Sequence, residues 1–318
     1  MKRIVLVFLD IVLFPLSLLA APILWAVRRI GVERLPICKK ALLLVGVFPI
    51  RRHYYEPLFD TESLREGLSR ERDLPGIDLN VAEQLDLLSQ FSYAEELLAF
   101  PLVASSPETY FYHNSRFGPG DAEFLYSMIR RFKPQRLVEI GSGFSTLMAR
   151  HAIAQNEQES PGLKCDHVCI EPYEEPWLEK CGAKVLRQRV EVVDPEIFLQ
   201  LEENDILFID SSHMIRPGGD VLFEYLQVLP RLKPGVLVHV HDIFTPHDYP
   251  ALWVTDEIRF WNEQYLLEAF LCHNRSFKIL GALNYLKRNY PKEIAARLPV
   301  LGREMENRDP ASFWMRRL

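Results

Sequence analysis

The segment Val138-Glu139-Ile140-Gly141-Ser142-Gly143-Phe144-Ser145-Thr146 constrains the fold more than any other stretch of this chain. It reads as a buried strand running into a Gly-x-Gly turn and then a helix, a geometry that lets backbone approach a ligand closely. The chain around it repeats that rhythm. Strands are predicted at 136–140, 166–170, 184–193, 205–209 and 236–240, with helices at 122–132, 145–156, 174–181, 219–232 and 255–271. Such alternation predicts an α/β fold with a mostly parallel sheet and helices on both faces. Residues 276–280 and 312–316 read as two further strands, and the polar stretch 283–310 between them is left without an assignment. No internal repeat is present.

The N-terminus has a different texture. Residues 4–27 form an apolar run of about 24 residues broken only by Asp10 and Ser17, long enough to span a hydrocarbon core of roughly 30 Å. A cleavable signal peptide is disfavoured, because Asp10 interrupts the run and no clean small-x-small site follows Ser17. Arg28, Arg29, Arg34, Lys39, Lys40, Arg51 and Arg52 follow the run, against Lys2 and Arg3 before it. That bias predicts a membrane-associated protein whose following domain is cytoplasmic. Pro15 and Pro22 leave a re-entrant hairpin as the alternative to a single span. The expected organisation is a membrane segment at 1–27, a connecting and lid region at 28–115, and a catalytic-type domain at 116–318.

Composition narrows the partners. Net charge is -6, from 37 Lys+Arg against 43 Asp+Glu, so no global positive field draws the chain to nucleic acid. The five cysteines are odd in number and their closest pair is spaced C-x3-C, which argues for a reducing compartment and against structural zinc.

The acids near the glycine turn carry the ligand argument. A dinucleotide fingerprint needs a third glycine three residues after Gly143, where this chain has Thr146. Glu139 before the turn repels a phosphate but tolerates a sulfonium or ammonium group. Glu171, at the end of the second strand, is placed to accept both hydroxyls of a ribose.

On these residues the chain resembles the class I S-adenosylmethionine-dependent methyltransferases of the small-molecule type, over about residues 117–318. The resemblance implies a Rossmann-like seven-stranded sheet with a reversed last strand. It also implies S-adenosylmethionine held by Glu139, Gly141, Ser142, Gly143 and Asp210, its ribose on Glu171 and its adenine near Asp194. Ser145 stands where many members have a third glycine.

Strands four and five end in Phe208-Ile209-Asp210-Ser211-Ser212-His213 and Val238-His239-Val240-His241-Asp242-Ile243, and in the resembled fold they lie side by side. Paired carboxylates with nearby imidazoles suit either a divalent cation, magnesium for instance, bound by Asp210 and Asp242, or a metal-free general base drawn from His213, His241 and Asp242. Metal-dependent members follow the second acid with Asn, where this chain has Ile243. His239 is expected to be a core group, one step deeper than His241 on the same face. Substrate contacts are expected from Tyr112, Asn114, Phe117 and Asp121 before the first helix of the domain, and from Phe244, His247, Tyr249 and Trp261 after strand five. The leading function is O-methylation of a small or lipid-linked acceptor at the membrane. A metal-dependent hydroxylase on the same fold and a non-catalytic membrane-tethered binding protein are the alternatives. Acceptor identity and oligomeric state are not encoded in these signals.

Overall fold

A computed structural model describes residues 2–318 apart from 51–52, 54, 60–63, 65–66, 105, 107 and 174, and apart from the side chains of residues 2 and 3. The flanking charges Lys2, Arg3, Arg51 and Arg52, with Tyr54 and the predicted helix start Glu174, therefore lie outside what is described. The chain forms two compact units, Met1–Gly67 with Val254–Ile258, and Leu68–Trp253 with Arg259–Leu318.

The first unit contains one continuous helix, Lys2–Ile30, with Pro15 and Pro22 inside it, followed by a shorter helix, Pro36–Leu44. Residues Ile4–Ile30 are long and apolar enough to cross a membrane. Their side chains are exposed along most of the length, Ile4, Phe8, Phe14 and Trp25 among them.

The second unit is built on seven strands: β1 (Arg136–Ile140), β2 (Asp166–Ile170), β3 (Lys184–Leu186), β4 (Ile206–Ile209), β5 (Leu237–Val240), β6 (Phe277–Ala282) and β7 (Phe313–Arg317). Their order across the sheet is β3-β2-β1-β4-β5-β7-β6, parallel except for β7, which runs antiparallel to both neighbours. The apolar strands bury both faces, as a helix-covered parallel sheet requires. Leu137, Ile206, Phe208 and Leu237 belong to one core cluster, and Val138, Ile140, Leu207, Ile209, Val238 and Val240 to the other.

Several predicted elements contract. Of 184–193 only Lys184–Leu186 pairs as strand, and Val190–Val192 forms a 3₁₀ turn. Among the described residues of 174–181 only the 3₁₀ turn Leu178–Lys180 is helical. The predicted helix 219–232 divides into Asp220–Phe223, a π turn Glu224–Val228 and a 3₁₀ turn Leu229–Arg231, where Pro230 supplies no N–H. The last long helix starts at Glu263, because the N–H groups of Asn262 and Glu263 donate to the His213 carbonyl.

The unassigned stretch 283–310 is three short helices, Leu283–Asn289, Pro291–Ala295 and Pro299–Arg303. It is anchored by Glu123 in the helix Asp121–Phe132. The Glu123 carboxylate accepts from the N–H groups of Val300 (2.8 Å), Leu301 (2.9 Å) and its own cap residue Gly120 (3.0 Å), so one buried acid caps two helices. Burial pushes its carboxyl up to about 7 against those three donors.

Candidate active site

The C-terminal ends of β1, β2 and β4 form one wall of a cavity of about 550 Å³, lined by Ile140, Gly141, Ile170, Glu171, Asp210 and the loop through Arg216 and Gly218. Gly141 has φ +75°, and a Cβ there would stand 1.8 Å from the Asp210 carbonyl oxygen, so only glycine serves at this crossing. Glu171 is held at the rim by the N–H groups of Ser142 (3.3 Å) and Tyr173 (2.8 Å). Arg189, Val190 and Glu191 complete the far side.

Four residues expected at this cavity, Glu139, Ser142, Gly143 and Asp194, are not among its lining. Strand alternation puts Glu139 on the face of Leu137, beneath the helix Phe144–Glu159, and away from Val138 and Ile140. Its carboxylate is fully engaged there, accepting from Ser145 Oγ (2.5 Å) and Thr146 Oγ1 (2.6 Å), with His167 Nε2 at 3.2 Å and Cys169 Sγ at 3.4 Å. Glu139 therefore fixes the glycine turn to its helix from below. Asp194 is exposed and accepts from the Glu196 N–H at 3.1 Å, in the turn that leads into the short helix Glu196–Leu199. Gly143 has extended backbone, φ 179°, and Ser142 contributes its N–H to Glu171.

The ends of β4 and β5 converge. Ladder bonds from Asp210 N–H to the Ile140 carbonyl and from His241 N–H to the Ile209 carbonyl carry the sheet one residue further and set the two ends level. His213 Nε2 lies 3.3 Å from Asp210 and 3.5 Å from Asp242. His241 Nδ1 lies 3.6 Å from Asp210 and 3.7 Å from Asp242, and its Nε2 faces Asp121 at 3.7 Å. Asp210, His241 and Asp242 offer ligand atoms that all lie within 4.8 Å of one another. Both His213 (φ +59°) and Asp242 (φ +56°) are left-handed, a conformation that L side chains other than Asn and Asp rarely hold.

Charge is distributed unevenly within this cluster. Burial opposes charge on both imidazoles. The hydrogen bonds of His213 to Asp210 and Glu263, and the fields of Asp242 and Asp210 at His241, outweigh it and raise both well above an ordinary histidine. Burial likewise favours the neutral acid at Asp210, yet His241 and His213 hold that carboxyl well below the usual range. At Asp242 burial prevails over the same two cations and the carboxyl is raised. His239, one step deeper, is depressed by burial and by His241; it stacks on Phe208 at 4.0 Å and bonds Ser312 Oγ at 2.9 Å, a core group as its position predicts.

A second cavity of about 260 Å³ opens on the other side of the cluster. Asp121, His241, Asp242 and Phe244 line its inner end, and Arg116, Trp253, Asn307 and Arg308 stand nearer its mouth. Of the expected substrate residues, Asp121 and Phe244 are in this wall. Asn114 is not: its side chain bonds the Phe111 and Phe117 carbonyls and the N–H groups of Arg116 and Phe117, which shapes the preceding turn. Phe117 packs against Phe208 and His241 in the core. Tyr112 donates to the Leu97 carbonyl, Tyr249 accepts from the Gln264 N–H, and His247 is buried outside the cavity. Trp261 covers the His213 ring at 4.3 Å.

Sequence reading missed Glu263, which is fully buried, bonds His213 Nδ1 at 2.8 Å and accepts from Tyr225 Oη at 3.1 Å. It lies 50 positions from His213 and carries no local signal. Arg116 and Arg308 were also missed; the proximity of Arg116 to Asn114 and Phe117 was the available clue.

Two comparisons bear on this arrangement. Residues 138–243 match the model of a methyltransferase domain. An uncharacterized protein of Archaeoglobus fulgidus is 32% identical over 170 residues, covering 48% of this chain and 74% of that protein.

Proposed function

From the premise that the chain belongs to the class I S-adenosylmethionine-dependent methyltransferases, a family whose usual cofactor is S-adenosylmethionine, we propose that it methylates a hydroxyl of a small or lipid-linked acceptor at the cytoplasmic face of a membrane. The observation that carries the reading is the meeting of two cavities at one cluster, Asp210 lining the larger and Asp242 the smaller. When bound, the cofactor would supply an electrophilic methyl carbon for the acceptor oxygen, with its sulfur as the leaving group.

The residues have separable tasks in this reading. Gly141 leaves room for the cofactor against the strand ends, and Glu171, already fixed by two N–H groups, accepts from ribose hydroxyls. Asp242 takes the hydroxyl proton, since a carboxyl raised by burial is a better base than an ordinary one. His241 and His213, held protonated by their carboxylate neighbours, stabilise negative charge as it grows on the acceptor oxygen. Glu263 positions His213.

Two carboxylates and an imidazole within 4.8 Å fit a divalent cation, with the mixed oxygen and nitrogen donors suiting manganese or iron as well as magnesium. Asp210, Asp242 and a deprotonated His241 would hold it in place of the imidazolium arrangement, and it would lower the pKa of the acceptor hydroxyl. Arg28, Arg29, Arg34, Lys39 and Lys40 after the apolar helix support the cytoplasmic orientation.

Calorimetric titration of the full-length protein in detergent with S-adenosylhomocysteine tests the reading. Micromolar binding that Glu171→Ala abolishes is the expected result; absence of binding by the folded wild-type protein would overturn it.

A further inference from the structure

We propose that the second cavity is a saccharide subsite, so that the hydroxyl presented to Asp242 belongs to a sugar ring. The fate of that hydroxyl rests on the methyl-transfer reading, whereas the fit of the ring rests on the cavity's own walls.

Those walls differ from one end to the other. At the inner end the carboxylates of Asp121 and Asp242 flank His241, and carboxylates only accept hydrogen bonds, so a ligand must bring donors there. The second oxygen of Asp121 is already taken by the N–H groups of Ala311 and Ser312, which fixes the first toward the cavity side. Nearer the mouth stand the Arg116 guanidinium, paired with Glu175 at 3.3 Å, the Arg308 guanidinium, whose Nε donates to Glu304 at 3.0 Å, and the Asn307 amide, so acceptors at the ligand's other end would meet a donor-rich wall. The two ends are joined by Phe244 of the inner end and Trp253 of the outer, edge to face at 86° with centroids 5.4 Å apart, and the Arg259 guanidinium braces the Trp253 ring at 4.3 Å.

A ligand that fits must therefore donate at one end, accept at the other and offer an apolar face between. A sugar ring does all three, because each hydroxyl both donates and accepts while the axial C–H groups make one face apolar. A phenolic ring supplies the flat face but keeps its few polar groups on one edge. The walls carry charges of both signs, so neither a cationic amine nor a simple anion is favoured along their whole length. A cavity of about 260 Å³ has the scale of a single ring and not of an extended chain.

The ring could arrive as a soluble glycoside or as the head of a lipid-linked glycan, and the test separates these sources. The full-length protein, in a detergent that contains no sugar, is titrated with methyl glycosides of common hexoses and 6-deoxyhexoses, with a polyprenyl-phosphate-linked disaccharide, and with catechol as the counter-probe. S-Adenosylhomocysteine is titrated separately. At least one glycoside in free or lipid-linked form is expected to bind saturably, with affinity reduced at least tenfold by Trp253→Ala and largely kept by Trp253→Phe. Affinity for S-adenosylhomocysteine should stay unchanged in both variants. Catechol binding more tightly than every glycoside, no glycoside binding in either form, or a Trp253→Ala protein with undiminished glycoside affinity would each overturn the assignment. Glycoside binding without S-adenosylhomocysteine binding would remove methyl transfer and leave the saccharide subsite standing.

Discussion

Two clusters on the same face of the sheet contain nearly the same chemistry and differ in what surrounds it. Glu139, His167 and Cys169 stand on β1 and β2; Asp210, His241 and Asp242 stand at the ends of β4 and β5. In each, three potential ligand atoms lie within 4.8 Å of one another. The first is sealed, and its carboxylate is satisfied by two hydroxyls and an imidazole. The second opens on two cavities, holds its two carboxyls on opposite sides of their ordinary pKa and places Asp242 on left-handed backbone. Residue type therefore does not separate a structural cluster from a chemical one. Completeness of hydrogen bonding and access to open space do.

The largest effect that could break this contrast is at the open cluster. Asp242→Asn should lower kcat/KM for the acceptor by about 10²- to 10⁴-fold, the usual worth of a positioned general base, while S-adenosylhomocysteine affinity stays within about threefold. Steady-state kinetics beside calorimetry measure both, and a loss smaller than about fivefold would remove Asp242 from the chemistry. At the sealed cluster the signature inverts. Glu139→Ala strips the acceptor from buried Ser145, Thr146 and His167, a cost of about 4 kcal/mol, which lowers the thermal midpoint by roughly 8 to 16 °C. Activity per folded molecule, assayed well below that midpoint, should change little. An Ala variant with wild-type melting and lost turnover would place Glu139 in the open class after all.

A third acid, Glu123, sharpens the comparison through pH, because it is sealed yet not neutral in its effect. Its carboxyl is raised by burial from 4.5 to about 7, so the folded state binds this proton more tightly than the unfolded chain does. The stabilisation is complete below about pH 4.5 and is lost as pH rises through about 7, to a limit of about 3 kcal/mol at 1.36 kcal/mol per unit. The melting midpoint of wild type measured relative to that of Glu123→Gln, whose amide does not titrate, should fall as pH rises from 4.5 to 8. A gap that stays constant would show that Glu123 titrates alike in both states.

The central strands were legible because four or five apolar residues bounded by turn signals have few other uses in a βα pattern. β1 and β2 fall where the pattern puts them, and β4 and β5 begin one residue later. The strand-end acids Glu171, Asp210 and Asp242 and the histidines His213 and His241 were legible for the same reason, since strand ends locate them. Glu139 was misjudged because its face depends on which helix packs beneath the glycine turn, a tertiary fact. Glu263 and the helices of 283–310 were out of reach because their reasons are distant: His213 in one case, the Glu123 carboxylate in the other.

The smallest expected effect concerns the thiol of the sealed cluster. Burial and the adjacent Glu139 raise the Cys169 thiol far above its ordinary range, so it stays protonated and a poor nucleophile. Cys272, by contrast, is exposed. Iodoacetamide at pH 8 should therefore modify Cys272 readily and reach Cys169 only on unfolding, as peptide mass spectrometry with and without denaturant would read. Because Cys169 is the weakest of the Glu139 donors and the hydroxyls of Ser145 and Thr146 remain, Cys169→Ala should cost about 1 kcal/mol, or roughly 2 to 4 °C, and leave turnover within about twofold. Alkylation of Cys169 in the folded protein at the rate of Cys272, or a tenfold fall in turnover, would mean that the cluster at β1 and β2 is open to ligands and that the contrast between the two ends of the sheet has been drawn in the wrong place.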